Sequence, residues 1–125
     1  MTIIEAIQKT DTLKPNRYSQ DEKIRWLSLV DTEIKSQIID KHEDGSDVEF
    51  LPYNDNTPLD TTLLVPHPFD DLYLYWLSAQ IDYWDREMVM YNNHMGIYNS
   101  LFNDYERYYN RLHMPLGQKI NYFGS

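Results

Sequence analysis

"LYLYWLSAQIDYWDREMVMYNNHMGIYNSLFNDYERYYNRL", Leu72 to Leu112, decides the fold. Leu72, Trp76, Ala79 and Tyr83 step by four, three and four. A second series, Trp84, Met88, Tyr91, Met95, Tyr98, Phe102, Tyr105 and Tyr109, keeps the same alternation. Each series is a packing seam at helical spacing. The two are out of phase between Tyr83 and Trp84, so one straight helix cannot hold both on one face. The pattern predicts a break, kink or tight turn around Tyr83 to Met88, producing two helices, although no glycine or proline marks it. Pro115 disfavours helix at Met114, so the last helix is expected to end near Leu112.

Working outward, Ile3, Ile4 and Ile7 share one helical face and predict a short helix from about Ile3 to Lys9. Asp11 to Tyr18 reads as a loop around Lys14-Pro15-Asn16. Ser19 and Glu22 form a capping box that opens a second helix. Ile24, Leu27, Val30, Ile34, Ile38 and Ile39 carry it to about Lys41, with Trp26 on its flank and Gly45 as the stop. Residues 43–67 form a long connector with three prolines, in which "VEFLPY" and "TTLLV" are short enough to pair as a hairpin. Pro68 is expected as the first residue of the third helix, with Asp70 and Asp71 in its first turn. The fold class is therefore all-α: a small antiparallel bundle of about four helices, with a long, partly extended connector and an extended C-terminal tail. Residues 1–112 make one helical domain, and 113–125 make the tail. The tail carries an apolar patch, Ile120, Tyr122 and Phe123, that needs a surface to lie on.

The 125 residues fit one domain. Eleven tyrosines and three tryptophans are many for this length, and such rings favour places that are dry on one side and wet on the other. A net charge of −9 argues against a phosphate-binding surface and against anionic lipid. With no cysteine there are no disulfides and no thiolate metal site. The N-terminal MTIIEAIQK lacks the character of a signal peptide, and no apolar run approaches a membrane span, so synthesis in the cytoplasm is the default expectation.

A search for chemistry predicts no enzyme, no cofactor and no metal. The chain lacks glycine-rich phosphate loops, a nucleophile elbow and an H-E-x-x-H pair. His42, His67, His94 and His113 are not spaced as a helical metal pair. "HEDGSD" (His42 to Asp47) lacks the alternating ligands of a calcium loop and reads as a helix-terminating turn. Asp70, Asp71, Asp82, Asp85 and Glu87 read as helix-capping and wet-side acids. The seam residues Trp76, Tyr83, Tyr91, Met95, Tyr98, Phe102, Tyr105 and Tyr109 are the candidate core or subunit contacts. Tyr73, Tyr75 and Tyr108 lie off the seams, and rings on more than one face need more than one packing partner, which an oligomer would supply.

The run "LLVPHPFDDLYLYWLSAQIDY", with Pro66, Pro68, Asp71, Leu72, Tyr73 and Tyr83, resembles the small head–tail connector proteins of long-tailed double-stranded-DNA phages. So do Tyr91-Asn92-Asn93, Phe102 and Tyr109-Asn110-Arg111 in the last helix, the closing "HMP", and Pro15-Asn16, Tyr18, Lys23, Trp26 and Leu27 near the start. Family members usually carry a small or glycine-containing turn after "IDY", where this chain has Trp84-Asp85-Arg86. The resemblance implies a ring, commonly of twelve copies, in the virion neck beneath the portal protein. It also implies a landing surface for the next neck protein and a channel through which DNA passes without specific binding. It assigns portal contact to the tail, with Ile120, Tyr122 and Phe123 as anchors. An acidic wall suits this role because it repels phosphate. The competing reading is a small acidic helical regulator that acts as a dimer.

Overall fold

The computed structural model describes residues 1–116. Four helices carry the chain: α1 (Ile3–Leu13), α2 (Gln20–Gln37), α3 (Leu72–Trp84) and α4 (Met88–Leu112). There is no strand among the described residues, only two isolated bridges, Thr2 to Thr62 and His42 to Pro115. The protein is therefore mostly helical, as the seams predict.

α1 runs four residues beyond its expected end at Lys9. Thr10 is fully buried and extends the apolar face past Ile7, so the helix stops only at Lys14, where Pro15 disfavours the helical conformation. Its start is a capping box that the sequence reading missed: Thr2 accepts from the Glu5 amide, and Glu5 reaches back to the Thr2 amide. At α2, Ser19 accepts from the Glu22 amide as expected, but the Glu22 carboxylate pairs with Arg25, so only half of the predicted box forms. α2 also ends earlier than predicted, at Gln37. A 3-10 turn, Ile39–Lys41, follows it, and a second, Gly45–Asp47, lies just beyond. Gly45 belongs there because an added Cβ would sit 2.3 Å from the Ile39 carbonyl oxygen.

The break between α3 and α4 falls inside the predicted window. The Arg86 amide donates to the Tyr83 carbonyl at 3.1 Å, and the Glu87 amide reaches the Asp82 carbonyl at 2.8 Å. Those two bonds, with Arg86 at φ 61, make the Schellman cap that usually holds glycine at this position. Placing arginine there costs on the order of 1 kcal/mol in backbone strain. Past this cap the ring pairs Tyr83–Tyr91, Trp76–Tyr98 and Phe69–Tyr105 lie 5.3 to 5.7 Å apart, so the residue number rises along α4 as it falls toward the start of α3.

α3 touches α1, α2 and α4. That position explains why Leu72, Tyr73, Leu77, Ala79 and Ile81 are all fully buried. Behind it lie Ile24, Leu27, Val30, Ile34 and Ile38 of α2 and Ile3, Ala6 and Ile7 of α1. Trp26, expected on the flank, is buried, and its carbonyl accepts from the Trp76 indole N–H at 2.8 Å.

The connector does not form the expected hairpin. "VEFLPY" and "TTLLV" dock separately, each on a helix. The Leu59 and Thr61 carbonyls accept from the Ile4 and Ile3 amides, satisfying donors that the start of α1 would otherwise leave unpaired. Asp31, fully buried on α2, accepts from the hydroxyls of Tyr53 and Tyr73, each at 2.5 Å, and from the Leu64 amide at 3.1 Å. The Tyr73 hydroxyl in turn accepts from the Val65 amide at 2.8 Å, and Ser28 Oγ accepts from the Tyr53 amide at 2.9 Å. Pro68 is not the first residue of α3. It follows a cis peptide bond from His67, and the helix begins four residues later. Neither Asp70 nor Asp71 caps α3 with its side chain; Asp70 lies 3.6 Å from the Met1 amino group. The first residues after α4 fold back instead of leaving the domain. Met114 O accepts from the Glu43 amide, and the Leu116 amide donates to Lys41 O. Residues 114–116 thus hold contacts with the 3-10 turn that follows α2.

Two predictions follow from this polar anchor. Tyr73→Phe strands the Val65 amide and removes one donor to Asp31. It should cost about 2–4 kcal/mol in urea unfolding; a loss below about 0.5 kcal/mol contradicts the geometry. Burial pushes the Asp31 carboxyl above the usual carboxylate range, against the lowering effect of its Tyr53, Tyr73 and Leu64 donors. A raised folded-state pKa means that this group's contribution is fully present below the unfolded value and declines as pH rises through the folded one. Relative to Asp31→Asn, the native chain should therefore be more stable at pH 4 than at pH 7, measured by paired urea titrations; a difference independent of pH contradicts this.

Candidate interaction surface

The seam of α4 is covered only along part of its length. Tyr98, Tyr105 and Tyr109 are buried, and burial holds the hydroxyls of all three above the usual tyrosine range. Trp76, Tyr91, Met95 and Phe102 are half-buried. Tyr83 does not serve the intrachain core. It is 49% exposed, as are Trp84 at 55%, Met88 at 47% and Val89 at 76%. α1 and the loop after it reach the reversal between α3 and α4 through Lys14 and Tyr18, on Asp82, Glu87 and Asp85, and leave these apolar side chains uncovered. Of the rings off the seams, Tyr73 is enclosed in the core, Tyr75 is half-buried beside His94, and Tyr108 packs on Phe69 with centroids 5.1 Å apart. The portal anchors expected at Ile120, Tyr122 and Phe123 lie outside the described residues.

The reversal is stiffened from behind by charge. Asp82, fully buried on α3, contacts Lys14 Nζ at 2.6 Å and His94 Nδ1 at 2.5 Å, and Lys14 also reaches Glu87 at 3.3 Å. Burial works to lower the Lys14 pKa, but Asp82 and Glu87 outweigh it and hold the ammonium above its usual range. Asp85 accepts from the Tyr18 hydroxyl at 2.6 Å, and this bond raises the tyrosine. α1, its following loop, α3 and α4 are thereby pinned at one point, and the exposed rings stand on a rigid base. The acids read as a wet helix side are, at Asp82, a buried ion-pair centre.

A second exposed apolar group lies at the other end of α4, where Leu112, Met114 and Leu116 face solvent. This end is built around histidine. His42, buried, places Nδ1 2.6 Å from the Ile38 carbonyl and Nε2 2.8 Å from Asn110 Oδ1. His113 stacks on Tyr109 at 3.8 Å and contacts Asp44 at 2.6 Å. Among the described residues no group of three or more His, Asp or Glu side chains is arranged to hold a metal. No described helix is long and apolar enough to cross a membrane. The described surface thus carries exposed apolar side chains at both ends of α4.

No known family model matches the chain, and no curated protein or solved structure matches it.

The Tyr98 hydroxyl is buried without a hydrogen-bond partner. Tyr98→Phe should therefore be neutral or stabilising by up to about 1 kcal/mol, because it removes a desolvated polar group and keeps the ring. A loss above about 1 kcal/mol in chemical denaturation would show that the hydroxyl has a partner.

Proposed function

We propose that this chain is a ring-forming virion protein of a tailed phage, set beneath the portal, where it joins the DNA-filled head to the tail and extends the channel for DNA. The supporting observation is the uncovered surface at the α3–α4 reversal: Tyr83, Trp84, Met88 and Val89 exposed on a rigid base. A ring needs two different contact faces on each subunit, and the far end of α4 offers a second, around Leu112, Met114 and Leu116. The ring pairs between α3 and α4 support the antiparallel packing of a connector wall. The net charge of −9 suits a conduit that lets phosphate slide past. Residues 117–125, carrying Ile120, Tyr122 and Phe123, serve as the segment that grips the portal. The next neck protein docks on the ring's opposite rim.

Removing residues 117–125 is the direct test, since Met114 and Leu116 already hold hydrogen bonds within the domain. The truncated chain should keep its thermal midpoint within about 2 °C and lose co-sedimentation with the portal of the same virus. Retained portal binding contradicts the assignment of the tail. A full chain that is a stable two-fold dimer with no portal affinity would instead place it among small acidic interaction modules.

A further inference from the structure

The turn at Asp85–Glu87 borders an open cleft lined by Asn16, Arg17, Trp84, Asp85, Arg86 and Glu87. Its two carboxylates are engaged, Asp85 with Tyr18 and Glu87 with Lys14. Its two guanidinium groups take part in no ion pair among the described residues. Arg86 is also the residue at φ 61, where glycine would sit without strain. Strain of this kind persists where a side chain has a task. Here it delivers a second guanidinium beside Arg17, flanked by the exposed ring of Trp84. Arginine and tryptophan at a rigid edge are the residues that dominate protein contacts, and paired guanidinium groups suit carboxylates.

The carboxylates that fit lie at the other end of the same molecule. Glu43, Asp47 and Glu49 are exposed and take part in no ion pair among the described residues, while Asp40 and Asp44 are held by Lys35 and His113. Lys41 and Arg111 are exposed at that end as well and reduce its negative charge without cancelling it. The contact of His113 with Asp44 fixes this segment at the C-terminal end of α4. The 25 residues of α4 then separate it from the arginine cleft by about 37 Å. One copy cannot bring the two together.

We propose that the Arg17–Arg86 cleft of one copy receives the acidic 43–49 segment of the next, so that the chain associates head to tail through two different faces. This rests on the ring reading and names its contact. Trp84, Met88 and Val89 beside the cleft would meet the apolar group around Leu112 and Met114. A contact between unlike faces repeats from copy to copy, and it closes into a ring if the rotation allows.

The absence of cysteine gives a clean test. Val89 flanks the cleft and Ser46 lies in the acidic turn, both exposed. Chains carrying both Val89→Cys and Ser46→Cys, treated with a short bis-maleimide reagent, should give a ladder of oligomers. Chains carrying either substitution alone should stay monomeric. Adding Arg17→Glu and Arg86→Gly should cut the ladder at least tenfold while the circular dichroism stays native, since glycine suits that backbone. Adding Glu43→Arg and Asp47→Arg to an Arg17→Glu, Arg86→Glu chain should restore it. Dimers from Val89→Cys alone, a ladder indifferent to the arginines, or no ladder at all would overturn the proposal. An arginine-dependent ladder that climbs past any closed ring would keep the contact and remove the ring reading.

Discussion

The carboxylate of Asp31 is the group on which the connector depends. Without strands to organise it, the stretch from Phe50 to Val65 needs some other way to fix its backbone. The hydroxyls of Tyr53 and Tyr73 and the amide of Leu64 all converge on this one side chain. Tyr73 passes the constraint on to the Val65 amide, and Ser28 secures the Tyr53 amide. An unpaired carboxylate at this depth would be severely unfavourable, so the three donors must be present together. The connector, α2 and α3 are in this way ordered as one unit. The same connector then lends its carbonyls to the start of α1.

With that side secured, α3 can be apolar on nearly every face, and α4 can pack on it as an outer helix. α4 buries only Tyr98, Tyr105 and Tyr109. Its first turns emerge from a strained Schellman cap and stand uncovered beside Tyr83 and Trp84. Rigidity and exposure coincide at that reversal: Lys14, Asp82 and His94 lock it from within, while Tyr83, packed against Trp84 and Tyr91, and Trp84 itself stay about half exposed. A surface that is pre-ordered in this way loses little entropy on binding, which favours it as a contact between subunits.

Much of this was legible from residue spacing alone. The phase slip between Tyr83 and Trp84 located the α3–α4 break without glycine or proline, because two seams that cannot share a face force a reversal. The turn itself was not legible, since the residue carrying the positive φ is arginine. The seam residues divided in a way spacing cannot show: Tyr83 and Met88 keep the periodicity of a core stripe but stand about half exposed. The largest miss was Asp31. It had a signal, for Leu27, Asp31, Ile34 and Ile38 step by four, three and four, which puts a carboxylate in a core position. A charge in such a seam calls for buried donors, and the connector with its Tyr53 and backbone amides, and α3 with its Tyr73, supply them. Asp82 follows the same logic on α3, opposite His94. The hairpin failed because two short apolar stretches on either side of a turn-rich segment were read as paired strands. In the folded chain each segment finds its hydrogen bonds on a helix.

The central claim is that one copy leaves rigid surface that only further copies cover. Native mass spectrometry of the full, unmodified chain over a rising concentration series tests it most directly. The account predicts a population that passes from monomer to a single closed oligomer of about a dozen copies, dissolving as salt screens the arginine–carboxylate contacts. A chain that remains monomeric throughout, or stops at a salt-insensitive dimer, would contradict it.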